Sequence, residues 1–140
     1  MDTEECLNKG YLVKEVISRD LIEKEIKESE YDFKKAKQAF RDKDYKWTII
    51  KCYYSMFHSA KAVCFKLGYR EKRHFAVLIV LESLNKEGKL EIRFVNDFSA
   101  TMSLREGADY RYAYSKERAE NSLRIAKEFN LRMSQLLKKL

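Results

Sequence analysis

Proline is absent from this chain, and glycine occurs only four times in 140 residues. Sandwiches and barrels turn back every 8–12 residues or so and draw on both residues to do it, so an all-β architecture is excluded. The glycines, at positions 10, 68, 88 and 107, also lie too far apart to cradle a phosphate. That removes a Rossmann or P-loop nucleotide site. Disorder is excluded as well, because 45% of the residues are apolar and 13% aromatic. The chain has the size of one domain, residues 1–140, able to bury a core without staples.

Between the glycines the apolar spacing is helical. Residues 3–16 predict a short helix opened by Thr3, so that residues 1–17 form a helical N-terminal extension. Asp20 and Glu23, three apart, resemble a capping box and open a long helix to about Lys43. Tyr45 to Leu67 carries two stripes, Ile49/Tyr53/Met56/Ala60/Val63 and Ile50/Tyr54/Phe57/Cys64, which together cover most of a helix. A helix so apolar belongs in the middle of a bundle, and Gly68 follows it as a C-terminal cap. A shorter helix over Phe75–Leu84 stops at Asn85–Gly88, and another begins at Lys89 with the stripe Leu90, Phe94, Phe98, Met102. The last opens at Ser115 and runs to Leu140. The expected fold is all-α, an up-and-down antiparallel bundle of about five main helices.

The formal charge of +7 is uneven: residues 1–44 sum to −2 and residues 45–140 to +9. Such a surface either is simply solvated or attracts a polyanion. The chain has no long apolar run for a membrane span, and its first residues do not read as a secretory signal. Three cysteines without a framework spacing read as reduced thiols, which places the expected location in the cytoplasm.

Little in the sequence supports cofactor chemistry. Glu71 and His74 have the Glu-x-x-His spacing of di-iron bundles, but the second such pair is missing. Cys52, His58 and Cys64, six residues apart, fall on three sides of a helix and cannot share an ion. His58 reads as a core or groove histidine satisfied by a neighbour. No metal or other cofactor is expected. Two basic clusters remain. Arg70, Arg73 and His74 follow a helix end, where they either complement its dipole or contact phosphate. Arg105 falls on the core side of its helix, one step beyond Met102. There it either pairs with Asp109 or waits in a groove, beside Tyr110, Arg111 and Tyr112, for a nucleotide or RNA phosphate.

Two segments carry a family resemblance. YYSMFHSAKAVCFKLGYREKRH, residues 53–74, resembles the central helix and following turn of HEPN domains, and LREGADYRYAYSKERAENSLRIAKEF, residues 104–129, resembles their arginine-bearing helix end and last helix. The similarity extends over about residues 18–137. It implies a helical bundle, often a homodimer, paired with a small nucleotidyltransferase in toxin–antitoxin modules. It also implies a metal-independent ribonuclease motif, Arg-x4–6-His. Here Arg105 matches the arginine, but the histidine position holds Tyr110, followed by Arg111 and Tyr112. A phenol with a pKa near 10 is a poor proton acceptor at neutral pH. The expectation is a nucleotide- or RNA-associated protein with a degenerate motif. Arg105 and Tyr110 are the catalytic candidates. Arg105, Asp109, Tyr110, Arg111, Tyr112, Arg70, Arg73 and His74 are the binding candidates. In the family, a tyrosine at the Tyr112 position is one that a nucleotidyltransferase antitoxin can modify. The alternatives are an active ribonuclease with relocated acid–base groups, drawing on His74 or His58, and a plain protein-interaction module.

Overall fold

The computed structural model describes residues 1–140 as an all-α bundle with one small two-stranded sheet. In chain order the elements are α1 (Thr3–Asn8), β1 (Leu12–Lys14), α2 (Arg19–Arg41), α3 (Tyr45–Lys66), β2 (Tyr69–Glu71), α4 (Phe75–Lys86), α5 (Ile92–Tyr110) and α6 (Lys116–Lys139). The five longer helices follow the periodicity of the sequence. At the centre is α3, in contact with α2, α4, α5, α6 and β2. It buries fourteen side chains, among them Ile49, Tyr53, Met56, Phe57, Ala60 and Val63. Opposite them, Phe98 of α5 stacks on Phe129 of α6 with ring centroids 5.6 Å apart.

Small polar residues set how closely the helices approach. Ser29 of α2 donates to the Ser55 carbonyl of α3 at 2.7 Å, and Ser55 donates back to the Ser29 carbonyl at 2.8 Å. Asn130 of α6 adds a bond from its amide nitrogen to Ser55 Oγ at 2.9 Å. Hydrogen bonds made in this way offset the desolvation of the buried hydroxyls and tie three helices together.

The N-terminal extension departs from the expected helix. Only Thr3–Asn8 is helical, and the capping side chain is Asp2, which accepts from the Glu5 amide at 2.9 Å, rather than Thr3. Gly10, at φ +74°, turns the chain into β1, which pairs antiparallel with β2, Leu12 opposite Glu71. The strand buries Leu12 and exposes Val13, and Val16 beyond it lies in solvent, so the apolar spacing there was not a helix face. A two-residue contrast in burial cannot distinguish the two periods in so short a segment.

Three boundaries also move. Ser18, not Asp20, caps α2, its hydroxyl accepting from the Leu21 amide at 3.4 Å. Glu23 does not reach back to a cap but pairs with Arg19 at 3.2 Å. α5 begins at Ile92 rather than Lys89 and runs through Gly107 to Tyr110. Gly107 is buried against Ala113. Packing there outweighs the helix-breaking cost of about 1 kcal/mol that glycine carries. The helices expected after Tyr45 and Ser115 start as read, capped by Asp44 and Ser115.

Candidate functional site

Between positions 47 and 65, α3 keeps only five side chains in contact with solvent: Trp47, Lys51, Tyr54, His58 and Lys61. Their spacing of three and four residues places them in one seam along the helix. No aliphatic residue lies in it. An otherwise enclosed helix therefore opens to water along a line of aromatic and basic groups, bordered by α2 on one side and by α5 and the start of α4 on the other.

Arg105 reaches this seam from α5. Its guanidinium lies 5.6 Å from the Tyr54 ring centroid and 5.0 Å from that of Tyr53, which is fully buried beneath it. Two aromatic faces hold the cation by charge–quadrupole attraction. Desolvation works against the charged guanidinium, but the phenols of Tyr54 and Tyr53 outweigh it and raise its pKa further. Asp109 approaches to 3.9 Å, one turn along α5, at the outer limit of an ion pair. It does not close the account: Arg105 Nε is buried and has no hydrogen-bond partner. With the side chain only 16% exposed, this arginine has a donor to spare and little freedom to swing elsewhere.

His74, the residue before α4, comes to the same place. Its ring packs on Phe57 with centroids 4.3 Å apart, and Nδ1 lies 3.5 Å from the Tyr53 hydroxyl. Tyr53 thus carries Arg105 on its face and His74 at its hydroxyl. Partial burial holds His74 below the ordinary histidine pKa, and the cations Arg105, Lys61 and His58 depress it further against the opposing Glu71. At neutral pH it is an uncharged imidazole. Burial lifts the Tyr53 phenol, which stays protonated.

His58 is tied down differently. Its Nδ1 meets Glu25 at 2.6 Å and its Nε2 meets Asp32 at 3.6 Å, both from α2. The bond to Glu25 raises the His58 pKa above its usual value despite partial burial. Burial tends to raise the Glu25 carboxyl, but bonds and charge from His58 and Lys61 overcome it and hold the group low. Lys61 bridges Glu25 and Glu71, each at 3.5 Å. These acids are spent on neighbours, and so are His58 and Lys61.

The other candidates separate. Arg70 sits in β2, ion-paired to Glu15 and stacked on Phe65 at 5.2 Å. Arg73 lies over Tyr11 at 5.5 Å. Both face the N-terminal extension. Tyr110 and Tyr112 are 71% and 76% exposed, and Arg111 is exposed with them. Tyr112 has φ +55°, a left-handed conformation that costs an aromatic residue about 1–2 kcal/mol. There it ends α5, and the Ala113 amide returns to the Gly107 carbonyl at 2.9 Å. Cys52 and Cys64 are inert, since burial pushes the Cys52 thiol up to about 12 and the Cys64 thiol higher.

Sequence reasoning placed Arg105, Asp109 and His74 among the candidates but took Tyr53, Tyr54 and Phe57 for core stripe. The signal was available: Arg105 on the core side of α5 requires something to face, and aromatics of the central helix are what the bundle offers.

Comparison with known proteins agrees with the fold. The HEPN domain family model matches residues 22–135. A protein of Methanocaldococcus jannaschii named "Putative toxin MJ0605" is 30% identical over 125 residues, covering 87% of this chain and 92% of that protein.

Proposed function

The chain belongs to the HEPN domain family, and on that premise we propose that it is a toxin-type HEPN protein that grips an RNA or nucleotide phosphate with Arg105. One observation carries this reading: a guanidinium held over two tyrosines in a solvent-open seam, its side chain still 16% exposed and its nearest carboxylate 3.9 Å away. A phosphate oxygen is the acceptor such a fork fits. Arg111 and the exposed tyrosines 110 and 112 border the approach, while Asp109 steadies the arginine from the side. The expected partners are a second copy of the chain and a small nucleotidyltransferase antitoxin. Tyr112 would be the antitoxin's target, a ring presented to solvent by its left-handed backbone. No helix is long and apolar enough to cross a membrane.

His74 favours a second reading, in which the protein cleaves RNA. Tyr110 stands where the family histidine would, but a neutral imidazole joined to Arg105 through Tyr53 supplies the missing base. It would take the proton from a ribose 2′-hydroxyl as that oxygen attacks phosphorus, while the P–O5′ bond breaks and the departing 5′-oxygen takes up a proton from water. Arg105 would stabilise the charge gathering on the phosphate.

The test is incubation of the purified protein with total RNA in EDTA, beside Arg105→Ala and His74→Ala, with binding measured in parallel. Binding that needs Arg105, without cleavage, supports the first reading. Cleavage lost in both variants supports the second. RNA and nucleotide binding that is indifferent to Arg105→Ala overturns both.

A further inference from the structure

At the N-terminal end of the seam, two helical turns before Tyr54, stands Trp47. It is the sole tryptophan of the chain and 45% exposed. An indole is costly to leave in water, and no other aromatic ring packs on it: its neighbours are the ammonium groups of Lys46 and Lys51, 5.8 and 5.5 Å from the ring. Neither lysine is in an ion pair, in contrast to Lys61 at the other end of the seam. Cation–aromatic contacts at an exposed site are weak, so both ammonium groups are free to turn to an anion and uncover the ring. Trp47, Lys51 and Tyr54 form one face, with Arg105 above Tyr54.

We propose that this face is a single-strand RNA track in which a base stacks on Trp47 while the strand's phosphate is held at Arg105. The proposal rests on the reading of Arg105 as a phosphate anchor and adds to it the substrate class and a second contact. Seven residues of helix separate Trp47 from Tyr54, about 10 Å along the axis. A mononucleotide, whose base and phosphate share one ribose, does not bridge that span with its base flat on the indole, whereas a strand does. A duplex does not fit, because its bases are already stacked on one another and offer no free face. Aromatic platforms next to unpaired cations accept any base, since every base has a π face. The track is therefore indifferent to sequence at Trp47.

Because Trp47 is the only indole, its emission reports on the contact directly. The experiment titrates the full chain with a short mixed-sequence single-stranded RNA, following tryptophan emission together with the anisotropy of an end-labelled oligonucleotide. The same titrations use a duplex and AMP. Expected are quenching that saturates with the anisotropy change, affinity about tenfold weaker in Trp47→Leu, and affinity within about threefold of wild type in Trp47→Tyr, all with unchanged melting temperature. If RNA binds, needs Arg105, yet leaves emission unchanged and ignores Trp47→Leu, the track is wrong and the Arg105 anchor stands. Equal quenching by duplex or by AMP overturns the single-strand assignment. Binding that ignores both Trp47→Leu and Arg105→Ala overturns the anchor as well.

Discussion

Two arginine-bearing regions of this chain read alike in sequence and end in opposite situations. Arg70, in the segment after α3, has its Nε and its face taken: Glu15 accepts from Nε and Phe65 lies beneath the guanidinium. Arg105 also has aromatic rings beneath it, but its carboxylate is 3.9 Å away and Nε is unpaired. What distinguishes a structural arginine from one available to a ligand is therefore not its charge or its neighbours in sequence but its unused hydrogen-bonding capacity after folding. The 69–73 segment spends its capacity on holding the N-terminal extension, and the end of α5 keeps some in reserve.

The sharpest way to break this contrast is through the extension itself. Leu12 is 1% exposed and is the apolar anchor of β1. Leu12→Ala should destabilise the protein by about 3 kcal/mol in chemical denaturation, with RNA affinity unchanged below the transition. A loss of binding in the folded variant would show that the extension supports the ligand site after all.

Next in size is the pair of arginine truncations. Arg105→Ala should weaken RNA or nucleotide binding by about 10–100-fold, the worth of a charged hydrogen bond in a partly buried site, at near-constant stability. Arg70→Ala should do the reverse, costing up to about 1 kcal/mol of stability and less than a twofold change in affinity. Equal losses of affinity in both variants would dissolve the distinction.

The smallest effect concerns His58, whose capacity is spent on α2 much as that of Arg70 is spent on the extension. Its folded pKa is raised, so its contribution to stability is fully present below the ordinary histidine value and is lost as pH rises through the folded pKa. Glu25, held low, contributes above the ordinary carboxylate value and loses that contribution as the pH falls through its own lowered pKa. His74, whose folded pKa is lowered, contributes a slope of opposite sign that His58→Gln leaves in place. Thermal melts should therefore show the stability advantage of the wild type over His58→Gln shrinking from mildly acidic to mildly alkaline pH. An advantage independent of pH would assign the His58 contribution to packing instead.

Residue by residue, legibility followed the strength of the local signal. The centrality of α3 was readable because its two stripes left almost no polar face, and the starts at Tyr45 and at the Ser115 cap were readable because each opens a strong periodic run. The β1–β2 pairing was not, since three-residue strands carry too little pattern and their partners lie far along the chain, Leu12 against Glu71 being 59 positions apart. Gly107 looked like punctuation and proved to be packing. At the site, Arg105 was found from its position on the core side of a helix. Its seat on Tyr53 and Tyr54, and the approach of His74 to Tyr53, belong to contacts between α5, α3 and the start of α4.

The sequence by itself determined the all-α bundle, the central helix and the candidates, because helical periodicity, capping and the scarcity of turn residues act over a few neighbouring positions. Only the tertiary structure decided which cations were neutralised and which were left with a free donor. That depends on carboxylates and rings brought from distant segments, Glu15 to Arg70, Glu25 to His58 and Lys61, and none to Arg105 Nε. Hydrogen-bond satisfaction is a property of the folded neighbourhood, and no local pattern encodes it.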